Sequence, residues 1–206
     1  MNVNVNVDRH KSSLTIILAK NMKLKILCIL LLTDKILGRL KGVPTILSPD
    51  LLHAIASMGH GDEIVLADAN FPAASTASEG AILIDASGHG IPDLLEAILQ
   101  FFPLDTFVLN PVVLMDLVSS DKEKDMKVPI WDEYQKICNK AEDRHIDMYK
   151  MERFKFYERA KSAFAIVATG ESALYANIIL MKGIVVDKEK NEDLRFKEIF
   201  YDLPSS

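Results

Sequence analysis

Cysteine is nearly missing from this sequence. Its 206 residues hold two, Cys28 and Cys138, with no metal-ligand spacing. Both are therefore expected as buried thiols in a reducing compartment. The five histidines, His10, His53, His60, His89 and His145, form no HxxxH or similar zinc pattern. No P-loop is present. The apolar runs fall well short of the ~20 residues that a membrane-spanning helix needs. Positive charge is in deficit. With 24 basic and 29 acidic residues the net charge is −5, which argues against nucleic acid as a main partner. These absences predict a cytoplasmic protein with no metal, no nucleic acid and no membrane partner. Apolar material, by contrast, is ample. Hydrophobic residues make up 49% of the chain, enough for a sizeable core, and the length suits one domain or a domain with an extension.

Residues 1–40 differ from the rest. Asn-Val alternation gives way to basic residues and then to two apolar runs, 14–19 and 26–32. The lysine-rich start near Met22 imitates a signal peptide, but Thr33-Asp34-Lys35 stands where a small-residue cleavage site belongs. The expectation is a loosely packed or disordered extension, or a gene-model artefact. Residues 187–206 form a charged tail without legible chemistry.

The most informative stretch is 58–72, MGHGDEIVLADANFP. A helix is predicted just before it, over 48–58. Ser48 suits the N-cap and Pro49 the first helical position. Leu51, Leu52, Ile55 and Met58 recur at helical spacing. Gly59 is expected in the left-handed conformation that ends a helix, which leaves His60 at a helix C-terminus. Asp62 and Glu63, next in the chain, are expected to raise its basicity. Residues 63–67 form a β-branched, apolar strand. Asp68 follows at its C-terminal end, where open α/β sheets bind ligands.

Beyond it, 73–79 is a loop or short helix and 81–85 a strand. A second Gly-His-Gly, 88–90, opens a helix whose buried stripe is Leu94, Leu95, Ile98, Leu99 and Phe102. Sequence chemistry alone ranks His60 and His89 poorly against each other. Residues 104–108 turn into a strand, where Asp105 suits a cap. Val108 and Met115 read as core. Residues 119–127 are turn-like, a helix runs from about 128 to 139 with the only tryptophan, and 141–150 is a polar connector. On the helix 151–164, Phe154, Tyr157 and Lys161 share a face and Arg153 lies one turn before Tyr157; the plain interpretation is solvated charge on an amphipathic helix. Residues 163–168 form a buried strand. A last strand, 175–180, would put Tyr175 and Asn177 on one face.

GHGDEIVLAD followed by NFP resembles the signature of the fucose mutarotase and ribose pyranase family. PLDT at 103–106, RFxFYERA at 153–160 and ATGE with YxN at 168–177 resemble further family segments. The likeness runs from about Lys41 to Val186 and is strongest to the animal members. It implies an RbsD-like α/β fold, a three-layer αβα arrangement with a mixed sheet of about six strands, over 41–186. It implies cofactor-free interconversion of the anomers of L-fucose, with ribose pyranase activity or non-catalytic sugar binding as alternatives. By the same resemblance His60 is the acid, with Asp105 and Tyr157 the other catalytic groups and the base unassigned between them. Asp68, Val108, Met115, Arg153, Tyr175 and Asn177 then contact the monosaccharide. His89 becomes a solvent-facing or capping residue. Members resemble homo-oligomers, from dimers up to decameric rings, with sites near subunit contacts.

Overall fold

The protein's structure, a computed structural model, describes residues 38–185. The expectations for the opening extension, its two apolar runs, Cys28 and the charged tail lie outside the described residues. In chain order the described elements are α1 (Pro49–Ser57), β1 (Glu63–Ala67), α2 (Ala73–Ala77), β2 (Ile82–Ala86), α3 (Ile91–Ile98) and β3 (Val112–Met115). Then follow α4 (Ser119–Glu123), α5 (Pro129–Glu142), β4 (Met148–Met151), α6 (Arg153–Lys161), β5 (Ala165–Thr169) and β6 (Ile178–Met181).

The strands form one mixed sheet of six, ordered β2-β5-β1-β6-β3-β4. β2, β5 and β1 pair in parallel, as do β3 and β4. β6 runs antiparallel between β1 and β3. Five strands therefore point one way and β6 alone points back. β1 is apolar along its whole centre because it is covered on both faces. Ile64 and Leu66 join the core made with α1, α3 and α5, while Val65 and Ala67 join a second core made with α2 and α6. Alternate residues of one strand thus feed two helical layers, which makes the α/β architecture three-layered. No helix among the described residues is long and apolar enough to cross a membrane.

α1 begins as its sequence dictates, with the Ser48 hydroxyl accepting from Leu51 N at 3.2 Å. Its end differs from expectation. Gly59 is not left-handed; Met58 leaves the helix in an extended conformation, and the left-handed residue is Gly61, at φ 84°. The helix is stopped from outside. Lys182 Nζ donates to the carbonyls of Ile55 and Met58, each at 2.7 Å, meeting two of the carbonyls that a helix end leaves unpaired.

The α3 stripe is buried as expected, Phe102 included. Residues 104–108 contain no strand: Leu104 makes one bridge to Lys182, and β3 starts only at Val112. Half of the turn-like stretch after 119 is the short helix α4. The polar connector after 141 hides β4, an edge strand that, among the described residues, pairs with β3 alone. The last strand begins at Ile178, and Tyr175 precedes it at φ 59°. Left-handed backbone is costly for a bulky side chain, and α5 supports it. Trp131 Nε1 donates to Tyr175 O and the Tyr134 hydroxyl to Ala176 O, both at 2.9 Å. Tyr134 is fully buried, and burial pushes its pKa up, so it stays a donor. Cys138 is a buried free thiol, its pKa pushed by burial up to about 12.

Tyr134→Phe orphans the Ala176 carbonyl in a dry layer. A loss of about 1–2 kcal/mol in unfolding free energy is expected from urea titration. An unchanged midpoint would mean that α5 does not brace this segment.

Candidate active site

The residues expected to bind and transform a ligand fall into two groups, at opposite ends of the sheet. The first forms where β1 begins and β6 ends. Gly61 N donates to Lys182 O and Lys182 N to Asp62 O, both at 2.8 Å, so the His60 loop is zipped to the end of β6. On the other flank of the same segment, Asp105 N donates to Met181 O at 3.1 Å and Gly183 N to Pro103 O at 2.8 Å. Three residues of one strand end therefore hold two loops. A Cβ on Gly183 would lie 2.7 Å from Leu104 O and 2.9 Å from Asp105 Cα, which only glycine avoids. The result is His60 Nε2 at 3.2 Å from Asp105 Oδ2.

Asp105 is 2% exposed. Its second oxygen accepts from Phe107 N at 2.9 Å. The capping role and the partnership with histidine are thus both present, one on each carboxylate oxygen. Asp62 and Glu63 do not face His60. Asp62 accepts from Gly59 N at 2.6 Å, and Glu63 forms a forked pair with Arg159. The acidic partner of His60 comes from 45 positions away in sequence, not from the adjacent pair. The Phe107 ring lies 5.5 Å from the imidazole. Val108 is nearby in the chain, on the wall of a depression of about 470 Å³ that also includes Val113, Arg159 and Met181.

The second group gathers where β1, β5, β3 and β4 end and β6 begins. Asp68 and Asn177 are joined twice. Asp68 N donates to Asn177 Oδ1 at 2.8 Å, and Asn177 Nδ2 donates to Asp68 Oδ2 at 2.6 Å. The same amide reaches Met115 Sδ at 3.8 Å. Asn70 N donates to the other Asp68 oxygen at 2.9 Å. Burial raises the Asp68 pKa above its ordinary 3.8, Glu171 adds to the rise, and these hydrogen bonds oppose it. Tyr175 donates its hydroxyl to Asp121 Oδ2 at 2.6 Å. Desolvation first and Asp121 second raise its pKa, with a hydrogen bond from the Val118 backbone and then the Arg153 charge acting the other way. Arg153 Nε is buried with no acceptor among the described residues. Tyr157 stands between the rings of Phe71 and Phe154, at 5.4 and 6.3 Å.

β1 separates the groups. Its five residues span roughly 16 Å at ~3.3 Å each, too far for one monosaccharide to touch His60 and Asn177 of the same chain. Asp68 consequently cannot orient the imidazole of its own chain. His89 is exposed and touches neither group; its carbonyl accepts from Gly170 N at 2.8 Å. Among the described residues no group of three or more His, Cys, Asp or Glu is placed to hold a metal ion.

Residues 41–185 match the RbsD / FucU transport protein family. The chain belongs to that family. It is 58% identical over 146 residues to the fucose mutarotase of Homo sapiens, covering 71% of this chain and 94% of that one. Among solved structures, FucU from Bifidobacterium longum superposes with a TM-score of 0.67 at 47% identity, over 71% of this chain and all of its own. The fucose mutarotase of Streptococcus pneumoniae, solved in complex with L-fucose, gives 0.65 at 47% identity with the same coverages. The membership accounts for the motifs, and the geometry adds supports that the sequence hides. Asp121, Tyr134, Lys182 and Gly183 carried no signal in sequence, and Trp131 carried only its rarity.

The Asp68 shift has a pH signature. Its folded pKa is raised, so the folded state holds the proton more tightly than the unfolded chain does. That stabilisation is fully present below the ordinary value of 3.8 and is lost as pH rises through the raised folded value. Asp68→Asn should remove the loss. Across that window its unfolding free energy, measured by urea titration at stepped pH, should fall less steeply than the parent's. Parallel profiles would contradict the raised value.

Proposed function

We propose that this protein is an isomerase that interconverts the α and β anomers of L-fucose by general acid–base catalysis, without a cofactor. The observation that carries the proposal is the close approach of His60 to Asp105, on the two motifs shared with the fucose mutarotases. Interconversion needs a proton taken from the anomeric hydroxyl and one delivered to the ring oxygen. The ring opens, the freed carbonyl carbon rotates, and the reverse transfers close it. Groups that exchange protons near neutrality suit both transfers, and imidazole is the side chain whose ordinary pKa, about 6.5, lies there. His60 protonates the ring oxygen, and buried Asp105 orients it and balances its charge. Tyr157, with one polar atom on an apolar ring shelf, handles the anomeric hydroxyl. Asp68, Arg153, Tyr175 and Asn177 hold the remaining hydroxyls, and Val108 and Met115 supply apolar contact.

The separation of the two groups favours a homo-oligomer, in which the His60 end of one copy meets the Asp68 end of the next. Apolar side chains exposed at both ends support that contact: Phe107 and Leu109 at 71% and 86%, Phe154 and Leu174 at 63% and 56%. The working unit is residues 41–186, with 1–40 and 187–206 as appendages, and the compartment is cytoplasmic.

Saturation-transfer proton NMR at the anomeric resonances of L-fucose tests the reaction, with D-ribose and D-galactose alongside. His60→Ala should slow exchange about 100- to 10,000-fold and leave the circular dichroism unchanged. Exchange at the parent rate would remove His60 from the mechanism, and enhancement for ribose alone would make the protein a pyranase. No enhancement for any sugar would leave a binding protein.

The composite site has its own test. His60→Ala and Asn177→Ala chains, each inactive, are unfolded together and reassembled. Roughly a quarter of the contacts in a randomly mixed symmetric oligomer should pair an intact histidine end with an intact Asp68 end. Recovered exchange of that order is expected; none would place each site within one copy.

A further inference from the structure

We propose that Asp121 is a positioning residue that commits the Tyr175 hydroxyl to accept, never donate, in its hydrogen bond to the sugar; this rests on the assignment of Tyr175 to the sugar site above. A phenol has one proton, and an ionised carboxylate has none to give. At 2.6 Å from Asp121 Oδ2, the Tyr175 proton is taken; the Val118 backbone N–H also donates to the phenol oxygen, and one lone pair remains for a ligand.

Both partners are fixed. Tyr175 is pinned at its carbonyl by Trp131. Asp121 is anchored through its backbone: its N–H donates to Val118 O at 3.0 Å and its carbonyl accepts from Met126 N at 3.1 Å. The charges facing the pair are Lys124, whose Nζ is 3.7 Å from the other Asp121 oxygen, and Arg153, whose field reaches Tyr175.

The neighbouring groups have the same polarity. Asn177 spends its amide hydrogens on Asp68 and Met115, and its oxygen already takes one N–H. Asp68 is a carboxylate with spare lone pairs. These three groups therefore offer acceptors. Such a site selects a ligand that presents several hydroxyl protons on one side, and it penalises loss of any one of them.

The test compares dissociation constants, by NMR titration, for L-fucose and its mono-deoxyfluoro analogues, whose fluorine can accept a hydrogen bond and cannot donate one. At one ring position the parent should bind the deoxyfluoro sugar about ten-fold more weakly, the effect of one well-placed hydrogen bond. Asp121→Asn keeps the shape, and its amide can donate to the phenol. In that variant the ten-fold preference should collapse toward one, with thermal stability unchanged. Tyr175→Phe should show the same collapse, and adding Asp121→Asn to it should do nothing more. If Asp121 only fastens α4, Asp121→Asn keeps the preference, and the proposal is overturned. Carbon-13-labelled tyrosine gives a second readout that needs no sugar. The Tyr175 signal, identified by its loss in Tyr175→Phe, should titrate lower in Asp121→Asn; an unmoved titration also overturns the proposal. Sugar binding without anomer exchange would defeat the proposed reaction and leave this inference standing, whereas failure to bind any sugar would defeat both.

Discussion

The antiparallel pairing of β6 between β1 and β3 is the constraint on which the rest depends. Both groups of polar residues are attached to this strand, one at each end. At its start, Asn177 locks onto Asp68 across to the end of β1. At its finish, Met181, Lys182 and Gly183 grip the His60 loop on one flank and the Asp105 loop on the other. Backbone hydrogen bonds fix these distances more tightly than loop contacts would, because each belongs to a ladder that is already ordered. The His60–Asp105 approach is therefore a property of sheet register. A one-residue slip of β6 would break both ends at once.

The two ends spend stability differently. At the Asp68 end, a carboxylate is buried against a carboxamide, and paired hydrogen bonds offset part of its desolvation. The raised pKa of Asp68 records the part that is not offset. At the His60 end, the cost is steric. Gly183 must lie against the backbone of Leu104 and Asp105, and no side chain fits between them. A lysine closes the arrangement by meeting helix carbonyls that the loop leaves bare.

Much of the fold was legible because it follows from periodicity. α1, β1 and α3 appear in the chain as capped or apolar segments of the right length, and their buried faces are the expected ones. β4 was not legible. Met148–Met151 carries no alternation, and it becomes a strand only because β3 offers it an edge. The Tyr175 turn was missed for a related reason: a tyrosine at positive φ contradicts local preference, and the hydrogen bonds that impose it come from a helix more than forty residues earlier. The candidate residues could be listed from the sequence, but their arrangement could not. Motifs named His60 and Asp105 without placing them together, and they named Asp68 and Asn177 without placing them a strand's length from His60. Local acidity pointed to Asp62 and Glu63, yet both are spent elsewhere, on a loop amide and on Arg159.

Tyr175 bears on how this protein can be improved. Its backbone sits where glycine or asparagine is comfortable and a bulky residue is strained, by something on the order of 1–2 kcal/mol. A redesign guided by stability alone would relieve that strain by replacing the tyrosine. It would remove the side chain whose hydroxyl meets Asp121, and with it the sugar contact proposed above, in the act of strengthening the fold. The turn is thus a place where a gain in melting temperature should be read as a warning.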